Sequence, residues 1–359
     1  MSPQVPEWVV YPKDDWQPIA PLDAGLNAEK WSSFLETCNV RGATQPAGES
    51  AVPQWGAALT IGGYLLHTWG NPEFRAQTAS VGKALTWAVF GLAVEDGLVA
   101  PDDPVRNTWT GEGQLSHPHK RLDRGFHRNL TWRHLLGDKD VYGHLGGFPV
   151  TNGFHWRNAT PAEQQNPASV ALFGPSQVPD WANWTGDPFY DNYAHTRPGS
   201  VRIYSSGGVW RLSQALTYLL GEDLKQVVDQ RLFGPMGIPA GRWDWTPGRT
   251  LFETKGWYPD APGYGDFVDP PYEIGGNIVR GGPGWVIINA LDLARFGHLV
   301  ATGGIWEGQR LMRPEWLRGH HGGDSNQVGG ESIHFTAMAR VSTLGIEHPL
   351  PGELFADSL

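Results

Sequence analysis

Ser80 and Lys83 stand three residues apart in the stretch Thr78-Ala79-Ser80-Val81-Gly82-Lys83. A serine hydroxyl is a poor nucleophile until a neighbour removes its proton. A lysine amine can do that only when neutral, a state favoured by desolvation or nearby positive charge. The run behind the pair offers desolvation: Leu85, Trp87, Val89, Phe90, Leu92 and Val94 put apolar side chains on every face. That pattern predicts a helix buried all round, with Ser80 and Lys83 on one face at its positive end. Glu95-Asp96-Gly97 predicts its end, with Gly97 at the position after the cap. The competing assignment is a surface lysine in an amphipathic first turn. The apolar surroundings oppose it.

Other elements must deliver this pair. Asn27 to Thr37 reads as a helix, with Leu26, Trp31, Phe34 and Leu35 at helical spacing and Asn27 as its cap. Gln54 to Ile61 and Tyr64 to Trp69 read as strands joined by Gly62-Gly63, a two-residue hairpin turn. Thr131 to Leu136 and Pro161 to Leu172 are short helical candidates in a loop-rich region, and aromatics such as Trp181 and Tyr190 there could wall a cleft or pack a lid. Further helices are expected over Val209–Leu220, Leu224–Phe233, Asn289–Val300 and from Pro314. Residues 236–285 read as Gly/Pro/aromatic loop, 303–311 as a turn with a short extended piece, and 333–343 as a strand. No internal repeat interrupts this order.

Composition bounds the function. A chain of 359 residues with 40% hydrophobic and 18% charged residues is ordered and long enough for a large core. A net charge of −10 without a Lys/Arg run argues against a nucleic-acid partner. The single cysteine, Cys38, excludes an internal disulfide and a cysteine-only metal site. Pairs such as His117 with His119, or His320 with His321, lack a third ligand at metal spacing. The first residues show no basic or apolar leader and no run spans a bilayer, so a cytoplasmic enzyme is expected.

At this point the sequence resembles the serine β-lactamase and penicillin-binding-protein-like hydrolases, above all the class C β-lactamases and the β-lactamase-like esterases. Three motifs carry the resemblance: Ser80-Val81-Gly82-Lys83 for S-x-x-K, Tyr204-Ser205-Ser206 for Y-x-N, and His320-His321-Gly322, followed by Gly323, for K-T-G or H-x-G. Gly281-Gly282-Pro283-Gly284-Trp285 before Asp292-Leu293-Ala294-Arg295-Phe296, and Asn129 to Leu136, also look alike. Together they cover roughly residues 50–325. The resemblance implies an α/β (α+β) fold, a central antiparallel sheet flanked by helices with an inserted helical, loop-rich region. It implies an N-terminal extension at 1–49, a core at 50–105 and 200–359, and an insertion at 106–199 over the cleft.

By the same resemblance Ser80 attacks a carbonyl carbon and forms an acyl-enzyme. Lys83 and Tyr204 share the general-base work. Ser206, His320, His321, Gly322 and Gly323 contact substrate or the oxyanion, with the backbone N–H groups of Ser80 and of the strand near Gly323 forming the hole. No metal or organic cofactor is implied, and the partner is a small-molecule ester or amide. Ser206 stands where the family has Asn, which shortens the reach to substrate. His320 stands where many β-lactamases have Lys, which removes a fixed cation for a substrate carboxylate. These departures favour a carboxylesterase over a β-lactamase or D-amino-acid peptidase, with an acyltransferase on the same scaffold as an alternative. His321-Gly322-Gly323 offers a second register for the third motif, Leu136 to Gly143 departs from the family's cleft-border loop, and little chain follows the third motif. Readings of another class are a carbohydrate-binding or glycoside-hydrolysing protein using loop carboxylates such as Asp187 and Glu253, or an inactive binding relative.

Overall fold

The computed structural model describes residues 5–37, 55–110, 128–136, 206–248, 271–282 and 284–317. Of the expected insertion at 106–199, residues 111–127 and 137–199 lie outside the described residues, as do the 161–172 helix, Tyr204, the third motif and the 333–343 strand. The chain enters through a short strand, β1 (Gln17–Pro18), which pairs in parallel with the second strand of the later hairpin. Helix α1 (Ala28–Thr37) follows, and Asn27 caps it by accepting from Lys30 N at 3.0 Å. β2 (Gly56–Ile61) and β3 (Tyr64–Gly70) form the expected hairpin, with Gly62 at φ 56° and Gly63 at φ 90°. Two positive φ values match the twist that such a turn needs, and glycine adopts them without a Cβ penalty.

β4 (Ala76–Gln77) leads through a 3-10 turn (Ala79–Gly82) into α2 (Lys83–Glu95). The regular helix thus starts at Lys83, later than the sequence suggested. Its end is as expected: Gly97, at φ 72°, donates to Val94 O at 3.0 Å while Leu98 N donates to Ala93 O at 3.0 Å. This is a Schellman pair, which satisfies two terminal carbonyls. Leu85, Ala88, Val89, Phe90, Leu92 and Ala93 are all buried. Each large one contributes about 1.5–3 kcal/mol of apolar burial.

α3 (Val105–Thr108) and α4 (Trp132–Leu136) lie against this core. At the start of α4, His134 Nδ1 accepts from Thr131 N at 3.0 Å, an acceptor role that Glu or Gln fills in a capping box. α5 (Ser206–Leu220) and α6 (Leu224–Val228) are the two helices expected there, but α6 passes into a π-helical turn (Asp229–Phe233). Gly234 N closes that turn on Asp229 O at 2.8 Å, and a Cβ on Gly234 would lie 2.6 Å from the same oxygen. Within 236–285 the described residues, 236–248, 271–282 and 284–285, hold regular elements where the sequence reads as loop. They hold a 3-10 turn (Ala240–Arg242), β5 (Asp244–Trp245) and a hairpin of β6 (Glu273–Ile274) and β7 (Asn277–Ile278).

β8 (Val286–Ile288) was not foreseen and sits between β4 and β5, antiparallel to both. α7 (Ala290–Ala301) is capped by Asn289, whose side chain accepts from Asp292 N at 2.7 Å. β9 (Ile305–Trp306), β10 (Gln309–Arg310) and α8 (Pro314–Leu317) complete the described chain. Its strands form two three-stranded sheets, β1-β3-β2 and β4-β8-β5, and two hairpins. α2 is the central helix, packed against α5, α6 and α8. Gly91 makes the α8 contact possible, since a Cβ there would lie 2.4 Å from the Trp316 side chain. Among the described residues no helix is long and apolar enough to cross a membrane.

The N-terminal segment is clasped onto α7. His298 Nε2 donates to Val10 O at 2.8 Å, between the rings of Tyr11 and Trp306. Burial pushes His298 down from 6.5 to about 4, so the folded protein keeps it neutral. The unfolded chain takes the proton first, and stability therefore falls as pH drops below about 6.5, fully by about 4. The expected loss is about 3 kcal/mol. Urea midpoints at pH 7.5 and 4.5 measure it, and His298→Asn should flatten the difference. His134 adds in the same direction, its pKa lowered mainly by burial.

Candidate functional site

Strand β4 aims the chain at the S-x-x-K turn. Ala76 pairs with Ile288 and Gln77 with Ile287, and Thr78 N extends the ladder to Val286 O at 2.8 Å. Val81 N then folds back onto Thr78 O at 3.1 Å, and position 80 falls in the resulting 3-10 turn. Gly82 must be glycine: a Cβ would lie 2.9 Å from Val286 Cγ2 and 3.0 Å from the Gly284 backbone. Lys83 opens α2 and is 2% exposed, which rules out the surface-lysine alternative. One turn on, Thr86 is fully buried and its hydroxyl donates to Gly282 O at 2.7 Å.

Ser206 is the first residue of α5, the helix that packs against α2. Lys83 of the first motif and Ser206 of the second thus open two helices in mutual contact. Tyr204, His320, His321, Gly322 and Gly323 lie outside the described residues. Beneath the turn is an apolar cavity of about 10 Å³ lined by Thr78, Val81, Gly82, Phe233, Val286 and Phe296. That is room for about one water. The Thr78 hydroxyl is buried there without a hydrogen-bond partner. Among the described residues no cluster of three His, Cys, Asp or Glu side chains could hold a metal.

Two supports escaped the sequence reading. Trp245 donates its indole N–H to both Gly281 O, at 3.0 Å, and Gly284 O, at 3.1 Å. Arg280 is held by Asp223, with Nε 2.8 Å from Oδ1, and donates to Trp245 O. The glycines of 281–284 were the available signal, since a backbone that approaches others this closely excludes side chains.

The beta-lactamase family model matches residues 51–338. The chain therefore belongs to the beta-lactamase family, whose members are serine hydrolases, and its helices and small mixed sheets follow the β-lactamase/transpeptidase type of α/β fold. Among solved structures it is similar to a protein from Bacillus anthracis provisionally described as a 6-aminohexanoate-dimer hydrolase, at 16% identity and TM-score 0.47, covering 88% of this chain and 69% of that one. It is similar to the octameric penicillin-binding protein homologue from Pyrococcus abyssi, at 16% and TM-score 0.43, covering 73% of this chain and 54% of that one. It is also similar to a D-stereospecific amidohydrolase from Streptomyces sp., at 18% and TM-score 0.41, covering 71% of this chain and 67% of that one. A comparison with curated proteins gave no match.

Proposed function

We propose that this chain is a serine acyl-hydrolase working through an acyl-enzyme on Ser80, and that its substrates are small carboxylic esters. The observation that carries the reading is Lys83, buried to 2% exposure at the first position of a buried helix and one 3-10 turn from Ser80. A charged amine is costly to bury unless it is paired and hydrogen-bonded, so a chain that buries one has built a polar site around it, and a lysine here points to chemistry more than to solubility. Lys83 and Tyr204 share the removal of the Ser80 proton. The hydroxyl oxygen attacks the carbonyl carbon, the alcohol leaves with a proton, and water releases the acid. Backbone N–H groups at Ser80 and near Gly323 hold the oxyanion, and Ser206, His320, His321 and Gly322 contact the substrate. Ser206 and His320 support ester over lactam, because neither supplies the amide or fixed cation that a carboxylate-bearing lactam uses.

The test is a serine-directed phosphonate with the adduct mapped by mass spectrometry. Labelling is expected at Ser80 and is expected to vanish in Ser80→Ala. A short-chain p-nitrophenyl ester should turn over faster than nitrocefin. An unlabelled protein that cleaves a p-nitrophenyl glycoside would overturn the reading.

A further inference from the structure

The loop behind the nucleophile turn is held at almost every carbonyl. Ser213 of α5 donates to Arg280 O at 2.8 Å. Trp245 donates to Gly281 O and Gly284 O, and Thr86 of α2 donates to Gly282 O. Thr246 reaches Trp285 O twice, from its N at 3.1 Å and from its hydroxyl at 2.9 Å, while Gly281 N returns to Thr246 O at 2.8 Å. Gly284 N closes the loop on Gly281 O at 3.0 Å. Trp285 is held at φ 57°, a left-handed conformation that a bulky residue keeps only when its surroundings impose it. The Gly284 backbone is what Gly82, inside the S-x-x-K turn, rests against.

We propose that Gly281, Gly282, Gly284 and Trp285 form the back-stop of the S-x-x-K turn, and that Trp245 and Thr86 are positioning residues for acyl transfer. This rests on the reading of Ser80 as nucleophile. Trp245 and Thr86 are each 0% exposed, so neither reaches a substrate in the cleft. They act through the backbone: one N–H fixes both ends of the loop, one hydroxyl fixes its middle to the helix that carries Lys83. The loop is tied from β5, α2 and α5 at once, so slack at one tie shifts the turn relative to the others. An error of about 1 Å in a reacting group costs on the order of a hundredfold in rate. Such slack lowers kcat and leaves KM, because the substrate contacts are untouched.

The experiment compares Trp245→Phe and Thr86→Val with Trp243→Phe, on the ester substrate. Both first variants keep most of the side-chain volume and lose the polar hydrogen. Trp243→Phe also loses an indole N–H from the same cluster, but that N–H goes to Asp229 Oδ1 at 2.6 Å, away from the loop. Trp245→Phe and Thr86→Val should each lower kcat about 10- to 100-fold with KM within about twofold, while Trp243→Phe keeps kcat within about twofold. If Trp245→Phe fails to fold, Thr86→Val decides alone. Unchanged kcat in both variants, or an equal fall in Trp243→Phe, overturns the proposal. Ser80→Ala is assayed in parallel. An inactive Ser80→Ala beside unaffected loop variants defeats this inference alone, and an active Ser80→Ala defeats the nucleophile reading and this inference with it.

Discussion

Lys83→Met should lower kcat/KM for the ester by about 10²–10⁴-fold and leave a folded protein. Both halves follow from where Lys83 sits. It is 2% exposed at the start of α2, the helix at the centre of the core. Methionine fills the space of the lysine stem with no charge to bury, so the helix keeps its packing. The proposed proton acceptor is gone, and a serine hydroxyl without a base is a weak nucleophile. Lys83→Arg should be equally inactive for a different reason: a guanidinium stays protonated and cannot take a proton. Circular dichroism and thermal melts check folding, and initial rates check turnover. Near-normal turnover in Lys83→Met would remove the amine from the base role, even with Ser80 intact as nucleophile.

Asp292→Ala should destabilise the protein by about 3–5 kcal/mol without any role in chemistry. Asp292 is 0% exposed and Arg295 2% exposed, with Oδ1 and Nη1 3.0 Å apart. Arg242 Nε lies 2.9 Å from the other carboxylate oxygen. Burial pulls the Arg295 pKa down, while Asp292 is the main group holding it up. Removal of the carboxylate leaves a buried guanidinium supported by backbone oxygens of Lys13 and Gly237. A loss of that size is a large share of the roughly 5–15 kcal/mol that holds a domain together. Urea denaturation measures it. Asp292→Ala/Arg295→Met should recover part of the loss, because the second change removes the orphaned charge. A midpoint unchanged in Asp292→Ala would show the pair to be dispensable.

Much of the scaffold was legible because the relevant signals are local. Apolar residues on all faces from Leu85 to Val94 gave a buried helix, and Gly97 its stop. Gly62-Gly63 gave the hairpin, and Asn27 gave a cap that the structure contains. The helix start was misplaced because no side-chain cap marks it: Gly82 holds the cap position with backbone alone. The β6–β7 hairpin carried a signal that was passed over, a Gly275-Gly276 turn at φ 58° and 80°. β8, at three residues, is too short to show any period. Trp245 was hidden by number, since it is one of 18 tryptophans and nothing in the sequence says where one indole N–H points. The pair Ser80 and Lys83 stood out for the opposite reason, because a hydroxyl and an amine three residues apart propose a chemistry by their spacing alone.

The clasp between the first residues and α7 bears on how the chain is made. Val10 meets His298 across 288 positions, Lys13 meets Arg295 across 282, and Trp16 Nε1 donates to Leu291 O across 275. At about 5–20 residues per second, Val10 leaves the ribosome roughly 15–60 s before its partner exists. During that interval Tyr11 and Trp16 have no α7 to cover them. Contacts of such high order also close late in refolding, after the local helices have formed. The clasp can therefore pair only once α7 has been made, and its closure reports that the chain is complete at least through His298.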